Sequence, residues 1–419
     1  MKLKIVSVLS LVILLASCGK DKVFRKYKAK VPIYTSYEEF RAVPDFESPK
    51  QITKKGNIYI KDQFLFVVEP HEGVHFIDNS NPSSPINTGF LKLKGVSGVA
   101  IKGNHLYANT LIDLVVMDVS DMSNPIQVSR SENAFPDALP LTELDYPMGP
   151  IDKELGVVTG WKVEDVKIEV EDGNQPISAW GGAEMMLSDG TSNYTGGGAG
   201  ATGIAGSIAK MTIVNDYLYV MDNHSLKPFN ISTPSAPICS EGVSIWREVE
   251  TLFPYQDKIF MGTTSGMLIY GTTNPEVPNH ISSIDHAMAC DPVVVQGDYA
   301  YVTIRTGTTC MGELNQLDVV DISDINNPIL QNSFGMTNPH GLGIDGNSLF
   351  ICDGADGLKM FDATNPLDCG NNQVSSHSNI QATDIIPFNN VAIVIGDDGI
   401  YQYDYSDNQN LQLLSKISF

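Results

Sequence analysis

The sequence predicts an all-β chain, a seven-bladed propeller of four-stranded blades with one long insertion between blades 2 and 3. Three observations carry this. One phrase recurs seven times, the period is near forty residues, and every period holds the same series of short apolar runs separated by turn residues. The phrase is clearest as "LVVMDVSDMSNPI" (114–126) and "LDVVDISDINNPI" (317–329). Weaker copies are "VHFIDNSNPSSPI" (74–86), "LKPFNISTPSAPI" (226–238), "MLIYGTTNPEVP" (267–278), "LKMFDATNPLDC" (358–369) and "IYQYDYSDNQNL" (400–411). With the Asp or its substitute as marker, the copies sit at Asp78, Asp118, Asn230, Gly271, Asp321, Asp362 and Asp404, with gaps of 40, 112, 41, 50, 41 and 42. The gap of 112 locates the insertion at 130–208.

Within a unit, an apolar run such as "GVAIKGN" or "VVVQGD" ends in a Gly/Asn/Asp turn. A β-branched and aromatic run follows, "HLYANT" or "YAYVTI". A short turn leads to the marker strand, the Asp-Ser-Asn-Pro turn follows, and a last strand such as "PIQVSR" completes the unit. The final unit has its own fourth strand, "LQLLSKISF", so the seventh blade can pack directly on the first. Alternatively residues 31–55, which include "VPIYTSY", add a strand to the ring.

The remaining chain divides as a leader (1–17), a tether with a possible accessory strand (18–55) and the propeller (56–419). Lys2 and Lys4 precede the apolar run Ile5–Ala16, too short to span a bilayer. It ends in "LASC", which resembles a bacterial lipobox and implies lipidation of Cys18. Acyl chains there anchor a protein without a transmembrane helix. The next residues, "GKDKVFRKYKAK", are basic and suit a tether near anionic headgroups. The formal net charge is −22, from 27 Lys and Arg against 49 Asp and Glu, which argues against a nucleic-acid partner.

The phrases "LVVMDVS" and "LDVVDIS" resemble the LVIVD-repeat family of envelope propellers. The resemblance covers residues 56–419 apart from the insertion, and is weakest in the fourth unit, where Gly271 replaces the Asp. It implies a scaffold fold rather than a chemistry. Together with the lipobox it implies a Bacteroidetes-like outer-membrane lipoprotein. The expected function is therefore a lipid-anchored binding or scaffolding module of the cell envelope, with an unidentified protein or glycan ligand. The alternative is an envelope enzyme (lyase, lactonase or glycan hydrolase) using the channel mouth.

No nucleophile elbow, phosphate loop or zinc-type cysteine spacing is present, and no catalytic residue, metal or cofactor is expected. "HEGVH" (71–75) spells a zinc-protease signature. The repeat alignment instead places Glu72-Gly73 with Asp356-Gly357 and Asp398-Gly399, in a turn, and His75 inside the next strand. Zinc proteases need both histidines one helical turn apart. In the insertion, "LGVVTGWKVEDVKIEVED" reads as two strands of a hairpin standing off the ring. The Gly198-x-Gly200-x-x-Gly203 motif there lacks the strand–turn–helix context of a dinucleotide site and reads as a loop. The turns "DGADG" (353–357) and "GDDG" (396–399) lack calcium-loop spacing and read as hairpin turns.

Aligning the units brings Gly56, Ser97, Ala209, Glu250, Asp291, His340 and Thr383 to the starts of the innermost strands. Glu250, Asp291 and His340, from three adjacent blades, form the candidate ligand site at the channel mouth. Five cysteines follow Cys18, an odd number. Cys290 and Cys310 fall at one edge of the fifth blade, and a disulfide between them is expected in an oxidising compartment. Cys352 reads as a buried apolar thiol.

Overall fold

The computed structural model describes residues 23–142, 144–170, 204–206, 209–285, 292–305, 314–407 and 409–419. Seven antiparallel sheets, each running a-b-c-d from the inside outward, form the ring. The blades occupy 58–92, 96–131, 211–244, 249–285, 293–335, 342–377 and 384–418. In blade 3 the outer strand is split into Ile238–Cys239 and Val243–Ser244, both on strand c. Antiparallel order puts every a–b and c–d turn on one face of the ring. Every b–c turn, and every link from one blade to the next, lies on the other.

Local chemistry accounts for both kinds of turn on the first face. Each a–b turn contains a residue at left-handed φ: Asp62, Gly103, Asn215, Gln256, Gly297, Gly346 and, in blade 7, Asn389 followed by Asn390, with φ of 50–61°. Gly, Asn and Asp, the residues that tolerate this region best, supply all of these but Gln256. The repeated marker makes the c–d turn. Its side-chain oxygen accepts the backbone N–H two residues on, at 2.7–3.0 Å, from Asp78, Asp118, Asn230, Asp321, Asp362 and Asp404. In five blades a second such turn follows three residues later, through Asn81, Asp121, Asp324, Asn365 and Asp407. Blade 4, with Gly271, lacks that acceptor, and the Thr272 hydroxyl instead donates to Asp257 O at 2.8 Å.

The core lies between the blades. The third residue of strand b is a buried aromatic in six of them: Phe66, Tyr107, Tyr219, Phe260, Tyr301 and Phe350. The ring closes without an exchanged strand. Ile58, Ile60, Leu65, Val67 and Ile77 of blade 1 meet Ile386, Ile393, Ile395 and Ile400 of blade 7. The Asn79 and Gln402 amides exchange two hydrogen bonds across this seam, at 2.8 and 2.7 Å.

Glycine is required just before strand c of blade 6. At Gly357, with φ +80°, a Cβ would come within 1.8 Å of His377 O on strand d. Gly357→Ala is expected to destabilise the fold by about 1–2 kcal/mol through backbone strain alone, before any clash. Urea unfolding measures it, and an unchanged midpoint would mean that strand d moves aside freely.

Two expectations are corrected. The stretch read as a hairpin is one strand, Val157–Val170, and its partner is the tether strand Val23–Thr35, so the two make a long antiparallel ribbon outside the ring. "VPIYTSY" therefore belongs largely to the ribbon. The accessory strand is Asp45–Glu47, on the outer edge of blade 1. The insertion also does not stay outside the ring. Its returning end, Ile204–Ala205, pairs with Tyr59 and Ile60 on the innermost edge of blade 1, inside the channel.

Candidate functional site at the channel mouth

The b–c face carries the irregular elements. The short helix Tyr37–Phe40 sets Phe40 against Leu111 and Ile112 of the blade 2 b–c turn and Val157 at the ribbon's base. Arg41 continues the contact. Its guanidinium donates twice to the fully buried Asp113, at 2.9 and 3.0 Å. Arg130 and the Asn133 N–H also donate to Asp113, at 3.1 and 2.9 Å. On blade 1 the strap before strand a is held by Glu69, 1% exposed. Its carboxylate meets Thr53 N, Lys50 and His75 Nε2, each at 3.1 Å. Burial alone would raise the Glu69 pKa, but the hydrogen bonds from Thr53, Lys50 and His75 together outweigh it and hold it at about 2.

Of the three candidate ligands, two are described and Asp291 lies outside the described residues, as do Cys18, Cys290, Cys310 and the Gly198–Gly203 motif. Glu250 sits at the entry of strand a in blade 4, at a bulge where pairing slips between Val249 and Thr251. Bulges re-aim a side chain. Beside it is Lys210, at the entry of blade 3, exposed to solvent with protein crowded around it. That crowding lowers its ammonium pKa, while Glu250 and then Glu248 pull it upward.

His340 enters blade 6 through a tightly held backbone. Its N–H donates to Cys352 O and its C=O accepts the Thr303 hydroxyl, both at 2.6 Å. Crowding, then the positive charges of Arg305 and Lys55, push its pKa down to about 4 against the opposing pull of Asp353 and Asp397. The imidazole is therefore neutral at neutral pH, with Nε2 3.2 Å from the Asn338 amide, placed to accept its N–H. Above about pH 6.5 folded and unfolded states are both neutral here. Between about 6.5 and 4 the unfolded chain protonates first, so stability falls as pH drops through that window. NMR titration should find His340 neutral until near pH 4, and His340→Gln should reduce the stability lost between pH 7 and 4.5. A midpoint near 6.5 would contradict this packing.

Among the described residues no three His, Cys, Asp or Glu side chains converge on a metal-sized site. "HEGVH" is a turn followed by a strand: His71 lies in the b–c turn at φ 65°, and His75 is buried in Gly73–Asp78. Cys352 is fully buried, which raises its thiol pKa.

The sequence reading missed the charge hubs Glu69, Asp113 and Asp353. Asp353 accepts the Thr337 and Asn338 N–H groups, at 3.1 and 2.7 Å, and pairs with Lys359 at 2.5 Å. Their only signal is an acidic residue at or beside the b–c turn. Also missed is a hollow of about 440 Å³ at the closing seam, on the a–b face, with Ile60, Phe388, Val391 and Ile393 below a rim of Gln63, Asn79 and Asn389.

Ring, blade order and repeated turns define the molecule as a seven-bladed β-propeller. Four segments, residues 54–90, 95–132, 203–244 and 288–335, match the LVIVD repeat. These matches fall on blades 1, 2, 3 and 5. No curated protein matches the chain. A solved protein from Lactobacillus plantarum aligns over 90% of this chain and 96% of its own at 10% identity, with a TM-score of 0.53. The computationally designed Ika8 protein aligns over 88% and 89% at 11% identity, with a TM-score of 0.50. Hsv2p of Kluyveromyces lactis aligns over 89% and 98% at 11% identity, with a TM-score of 0.47. At such identities the likeness concerns the fold alone.

Proposed function

We propose that this propeller is anchored through lipidated Cys18 to the bacterial cell envelope, at the outer membrane, and binds a protein or glycan on its b–c face. One observation carries the reading, the asymmetry of the two faces. The a–b face is a repeating set of tight turns whose side chains satisfy their own backbone. The b–c face gathers the ribbon base, the strap, the bulged Glu250 with Lys210, and the held His340. Recognition surfaces are built from such irregular segments on a rigid scaffold. The enzyme alternative gains no support from His340, whose Nε2 already has a hydrogen-bond partner and whose pKa is too low for a base at neutral pH.

Cross-linking in intact cells, with surface protease accessibility, tests the reading. Capture of a partner or glycan should weaken with Glu250→Lys and Lys210→Glu and persist in Asp118→Asn. Capture equally sensitive to all three changes, or insensitive to the first two, would defeat the face assignment. Acyl labelling that survives Cys18→Ala would defeat the anchor.

A further inference from the structure

The ribbon is the unexplained element. Its strands pair with Lys26 opposite Lys167, Lys28 opposite Asp165 and Lys30 opposite Val163. Directly opposed residues of an antiparallel pair share a face, so Lys26, Lys28, Lys30 and Lys167 lie on one side, against the two acids Asp165 and, at the register position of Phe24, Glu169. Lys26, Lys28 and Lys167 are exposed. The other side of the tether strand is covered: Ala29 is buried, and Tyr27 and Val31 are half-buried. Two lysines directly across a ladder repel, and an exposed ribbon gains nothing from that arrangement by itself. The rest of the chain is strongly acidic, at −22 overall.

Chain length restricts where this face can be. Cys18 precedes Val23 by five residues, which reach roughly 17 Å at most. An acyl group on Cys18 therefore keeps the ribbon's tip beside the headgroups. The 13-residue strand extends about 40 Å from that tip to the base on blade 2. That distance is several times the ~8 Å screening length, so lysines near the tip lie beyond the screened reach of the acidic ring.

We propose that the lysine face of the ribbon docks on an anionic lipid surface, so that the ribbon lies along the headgroups and holds the ring to one side of the anchor. This rests on the lipid-anchor reading. The full chain isolated from cells would be floated with phosphatidylcholine vesicles and with vesicles containing phosphatidylglycerol, and amide exchange followed in 26–33 and 157–167. Docking predicts slower exchange there on phosphatidylglycerol only, removed by 0.5 M salt (roughly a 4 Å screening length). Affinity should fall on the order of fivefold per lysine lost in Lys26→Gln, Lys28→Gln and Lys167→Gln, and the matching arginine variants should retain it.

Flotation on both lipids with equal ribbon exchange would uphold the anchor and overturn the docking. Flotation on phosphatidylglycerol alone would uphold the docking and overturn the anchor. No flotation on either would overturn both. Ribbon protection without vesicles that rises with protein concentration would assign the face to a second copy of the chain and overturn the lipid.

Discussion

Asp113→Ala is expected to cost about 3 kcal/mol, the scale for removing one partner of a buried ion pair. Asp113 is fully buried and answers two guanidiniums, Arg41 and Arg130, with side chains 17% and 7% exposed. Without it, both cations keep their buried surroundings. Arg41 retains Glu132 at 2.7 Å and the Asn133 side-chain carbonyl, whereas Arg130 keeps, among the described residues, a long contact to Gln127 at 3.5 Å. The defect should be local as well as global, because Arg41 ties the helix and the ribbon base to blade 2. Urea unfolding should show the lost stability, and limited proteolysis should open the chain between residues 36 and 44. Asp113→Asn, which keeps shape but not charge, should fall between. Equal stability of all three proteins would show that the guanidiniums find water instead.

The second large effect is expected at the ring closure. Ile393 is fully buried in the seam and also lines the hollow there. Ile393→Ala should cost about 3 kcal/mol, because the side chains around an existing cavity collapse poorly on a new one. No strand is exchanged between blades 7 and 1, so side-chain packing, the Asn79–Gln402 pair, the Ser415 hydroxyl on Pro82 O and the Lys55–Asp397 ion pair carry the closure. Hydrogen exchange should quicken first in Ile58–Lys61 and Asp384–Phe388, leaving blades 3 to 5 unchanged. Uniform acceleration around the ring would instead show that closure and ring unfold as one unit.

Much of this architecture was legible in short-range patterns. An Asp whose side chain captures the backbone two residues on makes a turn wherever it occurs, so the marker counted the blades. Alternating apolar residues and left-handed turn residues placed strands a and b for the same local reason. That reasoning also dismissed "HEGVH", since His71 and His75 fall in a turn and a strand in every alignment of the repeat. The candidate ligand site was less legible. The alignment found the entries of the innermost strands, including Glu250 and His340, but not the partners that set their state. Lys210 comes from a neighbouring blade, and Asn338 and Asp353 act through contacts that no spacing encodes.

The insertion marks the boundary between the two kinds of information. Its extended character was evident from its residues, and its partner was not. Val157–Val170 pairs with Val23–Thr35, more than a hundred residues earlier, and Ile204–Ala205 joins the channel edge of blade 1. A strand's own sequence sets its two faces through its alternation, but any free edge with unpaired N–H and C=O groups can complete its ladder. Repeat and turn chemistry thus determined the seven blades. Which distant edges were paired, and so where the lysine face and the buried Asp113 hub lie, was decided by the folded ring alone.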